Sequence, residues 1–177
     1  MCLSLIGCSD DDNTLDRVLK LRDNVLNANE CTFIVEISAD YEDSIYSFVM
    51  DCAFSANGDL VFEVIEPSTI SGITGRIGET YNDLTFDDHI LAFSRLADGE
   101  VTPVSAPWVF MKALRCGYIR EYSADENETH VIINDTYEDE ALELFVWIDE
   151  LSIPMFAEIF WLGMRVLTLD IRNFSVE

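Results

Sequence analysis

The sequence predicts an α+β, mainly β domain: one highly curved antiparallel sheet with an N-terminal helix and a short internal helix packed on its concave face. Apolar residues keep helical spacing over residues 15–26 and briefly around residue 110, and elsewhere recur with period two. Asn57-Gly58 is a strong hairpin signal between two alternating runs. About nine strand-like runs follow one another, and a sheet of that size curls and can leave an apolar hollow.

Asn13 or Thr14 can cap the first helix, with Asp16 in its first turn. Leu15, Val18, Leu19, Arg22, Val25 and Leu26 form its stripe, Leu21 lies beside that stripe, and Asn27 to Glu30 end the helix. In CTFIVEISADY, Phe33, Val35, Ile37, Ala39 and Tyr41 share a face. Tyr46, Phe48, Met50, Cys52 and Phe54 share one in IYSFVMDCAF, and Leu60, Phe62 and Val64 continue on the return strand until Pro67. ISGITGRIG (70–78) reads as a thin strand, followed by YNDLTFDD (81–88), HILAFSRL (89–96) and a turn at Asp98-Gly99. Pro103 and Pro107 break the sheet. Ser105 is the expected cap of a helix over Val109 to Arg115, stopped by Gly117. Strands then follow at 118–122, 130–135, 141–150, 155–162 and 165–176.

The 177 residues suffice for one domain with a substantial core. Asp and Glu number 34 against 10 Lys and Arg, a formal net charge of −24. No basic patch offsets this, so the surface repels nucleic-acid phosphates and anionic headgroups, and no nucleic-acid partner is expected. The acidity reads as a solvated face; it also suits docking of a basic protein partner. Among five cysteines none has C-x-x-C spacing, which excludes zinc ribbons and thioredoxin-type motifs. Cys31 and Cys52 lie in apolar runs, where cysteine acts as a small hydrophobe.

Catalytic signals are lacking. His89 and His130 each start a strand beside carboxylates but sit in no recognisable motif, and read as satisfied or solvated surface histidines. No nucleophile elbow, zincin helix, phosphate loop or dinucleotide fingerprint is present. The acidic runs do not match a calcium loop. Neither enzyme activity, metal nor cofactor is expected.

The N-terminus points elsewhere. Leu5-Ile6-Gly7-Cys8 fits a lipobox, with Cys8 as the acylated residue and Ser-Asp-Asp-Asp-Asn after it as a hydrated tether. A complete signal peptide needs a cationic region and roughly 7–15 apolar residues. Only residues 2–7 separate Met1 from Cys8, so the start is expected to be truncated. Two acyl chains, at about 0.8 kcal/mol per buried CH₂, hold a protein stably on a membrane. The expected organisation is a signal-peptide remnant at 1–8, a polar tether at 9–13, and a single domain at 14–177.

Several stretches together resemble the LolA/LolB-like lipoprotein-carrier fold, and more narrowly lipoproteins of that kind in clostridial bacteria. They are this lipobox and helix, the strand Phe62-Glu63-Val64-Ile65-Glu66-Pro67 running into Ile70-Ser71-Gly72-Ile73, the Leu96-to-Trp108 segment before the short helix, and the closing Leu167-to-Phe174 strand. The resemblance implies an unclosed β-barrel with helices over its mouth and an apolar cavity for a lipid or the acyl chain of a client lipoprotein. The familiar periplasmic carrier of that family is soluble, and here the sequence departs from it: the lipobox implies a protein of the cell envelope, outside the cytoplasm, itself anchored through Cys8. The cavity-facing candidates are Phe33, Val35, Phe48, Met50, Phe54, Phe62 and Val64, acting by apolar burial. An envelope-sensing or protein-interaction module of the same fold, with a filled core, is the other reading.

Overall fold

The computed structural model describes residues 10–41, 44–79, 82–85, 101–125, 128–138 and 141–177. Cys8 and its lipobox, His89, the run expected at 89–96 and the Asp98-Gly99 turn lie outside them.

Helix α1 spans Asp10–Asn27, so residues 10–13, expected as tether, are helical, and Asn13 and Thr14 sit inside the helix. The buried stripe is Thr14, Val18, Leu21 and Val25, with Ala28 buried just past the helix, whereas Leu19 and Leu26 are nearly half exposed, at 47% and 46%. The helix is therefore turned relative to the expected stripe, with Leu21 at its centre.

Among the described residues ten strands form one antiparallel sheet: β1 (Glu30–Tyr41), β2 (Ser44–Ser55), β3 (Leu60–Glu66), β4 (Thr74–Ile77), β5 (Asn82–Thr85), β6 (Tyr118–Asp125), β7 (Glu128–Asn134), β8 (Glu143–Ile148), β9 (Pro154–Trp161) and β10 (Met164–Val176). Their order is β5-β4-β3-β2-β1-β10-β9-β8-β7-β6. Two meanders are thus joined where the first strand pairs with the last. The sheet is curved and unclosed, as the sequence predicts, and α1 and α2 pack on its concave face.

The expected alternation holds in β1, where Phe33, Val35, Ile37 and Ala39 are buried, and in β3 with Leu60, Phe62 and Val64. In β2 it fails at one end, since Tyr46 is 57% exposed where the strand runs past the core. Gly58 takes φ +90°, which its turn between β2 and β3 needs and a side chain resists. The thin strand expected at 70–78 is only half strand, because residues 67–72 form a turn and β4 begins at Thr74. Near the end of β10 the register to β1 shifts and Asn173 adopts φ +54°. This bulge keeps Phe174 on the concave side, its ring centroid 5.8 Å from that of Phe33.

Helix α2 (Ala106–Cys116) starts three residues earlier than expected. Ser105 precedes it but does not cap it; its hydroxyl donates back to the Thr102 carbonyl at 3.0 Å and accepts from the Thr102 N–H at 2.9 Å. Gly117 stops the helix in extended backbone, φ −66°, and not in the left-handed form. Its need for glycine is steric: a Cβ there would lie 2.5 Å from Ile133 Cγ2, 2.6 Å from the Ala113 oxygen and 2.9 Å from the Asn134 oxygen. Arg22 of α1 donates to the carbonyls of Leu114 at 3.0 Å and Gly117 at 2.8 Å, satisfying acceptors that the end of α2 leaves open.

Gly117→Ala is expected to destabilise the fold by about 1–3 kcal/mol, because two of the three close neighbours are backbone oxygens that cannot swing away. Urea unfolding measures it; an unchanged midpoint would refute the packing argument.

Candidate functional site

The seven cavity candidates share the concave face of β1, β2 and β3. Register places Val35 beside Met50 and Met50 beside Val64, with Phe33 and Phe62 flanking Cys52 in the next row. Phe48 lies opposite Ile37, and Phe54 lies between Cys31 and Leu60. None is more than 3% exposed. Alternation alone brings them together, since each strand sends every second side chain inward.

Helix α2 crosses above this group. Phe110 meets Phe33 edge-on with centroids 6.3 Å apart. The Arg115 guanidinium sits 5.7 Å from the Phe54 ring and donates Nη1 to the Ala56 carbonyl at 2.9 Å. Trp108 Nε1 donates to the Gly58 carbonyl at 2.9 Å. Two contacts therefore hold α2 to the β2–β3 turn.

Cys31 and Cys52 are buried free thiols within this face, and Cys116 is a free thiol exposed at the end of α2. Burial raises the pKa of the Cys31 thiol and raises that of Cys52 strongly, which disfavours the thiolate at both.

The outer face of β7, β8 and β9 carries a second apolar surface that the sequence reasoning missed. Trp147 packs against His130 on one side and Phe156 on the other, at centroid distances of 5.4 and 5.2 Å. Phe145 meets Phe160 at 4.7 Å. The signal was available in the unbroken apolar run LFVWI of β8, because a strand covered on one face only should alternate. Beside these rings a hollow of about 150 Å³ is lined by Glu121, Ser123, His130, Ile132, Phe145 and Trp147, among others. His130 keeps its surface reading, half-buried, with Nε2 3.7 Å from a Glu128 carboxylate oxygen. No group of three metal-ligating side chains occurs among the described residues.

No family model matches the sequence. No curated protein matches it either. Among solved structures, the chain is similar to a LolA superfamily protein from Nitrosomonas europaea, at 11% identity and a TM-score of 0.48, over 92% of this chain and 93% of that one. It is also similar to the Mycobacterium tuberculosis lipoprotein LppX, at 12% identity and 0.43, over 96% and 100%. LprF from Mycobacterium bovis gives 10% identity and 0.41, over 97% and 96%. With identities and scores this low, the functional reading rests on the residues themselves. Among the described residues no helix is long and apolar enough to cross a membrane.

Alkylation of the native chain at pH 8, followed by peptide mapping, is expected to label Cys116 promptly and leave Cys31 and Cys52 unmodified until denaturant is added. Prompt labelling of Cys52 would mean that the concave face opens to water.

Proposed function

We propose that the chain binds a lipid, or the acyl chain of a lipoprotein client, within its apolar concave face, as a non-catalytic protein of the cell envelope anchored outside the cytoplasm through Cys8. The observation that carries this reading is a continuous apolar face on a sheet whose edge strands β5 and β6 do not pair with each other. A closed barrel must break ladder hydrogen bonds to admit a chain. An unclosed one can widen along its open side with every strand pair intact. Phe33, Val35, Phe48, Met50, Phe54, Phe62 and Val64 would line the path, contributing about 25 cal/mol per Å² of ligand surface removed from water. The chemistry asks nothing of a nucleophile or base, and the buried thiols are held neutral.

A second reading, an envelope-sensing or protein-interaction module with a filled core, draws on the burial of all seven candidates to 3% or less. The two part company in one experiment. Native mass spectrometry of the purified chain, followed by organic extraction, is expected to reveal a stoichiometric lipid. Val64→Phe, which adds bulk at the centre of the face at a cost of about 1–3 kcal/mol, is expected to reduce that loading while far-UV circular dichroism stays unchanged. A clean apo mass after incubation with membrane lipids would sink the lipid reading and leave the filled-core module.

A further inference from the structure

The hollow on the outer face of β6, β7 and β8 plays no part in the proposed interior site. Its floor is apolar, from Ile132, Phe145 and Trp147, although the fold's core lies on the other side of the sheet. Its rim is acidic. Across the strands the register sets Glu121 beside Ile132 and Ile132 beside Phe145, while Ser123, His130 and Trp147 form the adjacent row. Glu121 is exposed and makes no ion pair among the described residues. Glu128 stands at the neighbouring position, beside His130.

Several of the protein's own cations already have partners. Arg120 pairs with Glu143, Arg165 with Glu158 at 2.6 Å, Arg172 with Glu36 and Asp170 at 2.9 Å each, and Lys112 with Glu79 at 3.6 Å. Arg22 and Arg115 are bound to backbone carbonyls. With 34 acidic residues against 10 basic ones, the field around this rim favours positive charge brought from outside.

We propose that this hollow docks a basic segment of a partner protein, one arginine or lysine side chain lying against Trp147 with its cation toward Glu121. A volume of about 150 Å³ suits one long side chain. Tryptophan is the best aromatic face for a cation, and a carboxylate at the far end of the stem completes the recognition. The partner is a polypeptide because the apolar row continues past the hollow through Phe156 and Phe160, which gives neighbouring aliphatic side chains a place to lie. The hollow reaches the edge strand β6, so such a segment can enter from the side. Nucleic acids and anionic lipids are repelled by the same field that draws a basic chain.

The test is titration of the whole chain with the acetylated, amidated peptide Arg-Leu-Arg-Leu-Arg, read by tryptophan fluorescence and calorimetry at about 150 mM salt. Glu121→Gln and Trp147→Ala are each expected to weaken binding about tenfold. Glu63→Gln, on the exposed side of β3 away from the hollow, is expected to leave it unchanged. Equal weakening by Glu63→Gln would show only the general acidic field and overturn the proposal. So would equal affinity for the neutral peptide Gln-Leu-Gln-Leu-Gln. Because Glu121 is exposed, its variant keeps the test decisive even where Trp147→Ala disturbs folding.

Discussion

The pairing of β1 with β10 is the contact on which the rest of the architecture depends. Among the described residues every other ladder joins strands adjacent in sequence, and β5 and β6 stand at the two ends of the strand order. From Cys31 beside Val176 to Ala39 beside Leu167, this one ladder turns two half-sheets into a single curved surface. The closure entropy of so long a loop grows only logarithmically with its length. Against it stand two rows of buried side chains, Val35 and Ile37 on β1 with Leu169 and Ile171 on β10, each no more than 6% exposed. Without that ladder the concave face, and any ligand path along it, would be divided in two.

The helices depend on the same curvature. A flat sheet would give α1 and α2 separate places to lie, whereas a curled one brings them together where Arg22 can reach both Leu114 and Gly117. Desolvation in that position lowers the pKa of the Arg22 guanidinium from its ordinary value, but arginine begins so high that it stays charged. Its partners are carbonyls and not carboxylates, so its hold on α2 does not depend on the acidic surface. The result is a small, charge-assisted joint between two helices and the start of β6, locked on its far side by the absence of a side chain at Gly117.

Period-two alternation in β1, β2 and β3 was strong enough to group the seven proposed lining residues on one buried face, because a strand has only two faces to choose between. Helix α1 offered more choices. Leu15, Leu19 and Leu26 fit one arc, Leu21 and Val25 another, and only the packing of Val18 and Leu21 onto α2 and β7 selects between them. The glycine at 117 was visible as a stop, but its reason, contact with Ile133 and Asn134 from a strand formed later, was not local. The outer aromatic row was overlooked for the converse reason. An apolar run such as LFVWI says that both faces are covered or sticky, yet nothing in it says by what.

The central position of β10 has a consequence for how the chain is made. Every other described strand leaves the ribosome before it, yet β1 finds its second neighbour only when β10 emerges. At roughly 5–20 residues per second, the wait between them is on the order of ten seconds. During that time β1 presents an open, apolar edge that would be prone to mispairing inside a crowded cell. A chain kept extended until the whole of it is available, as one threaded through a membrane pore is, would meet its first and last strands at nearly the same moment.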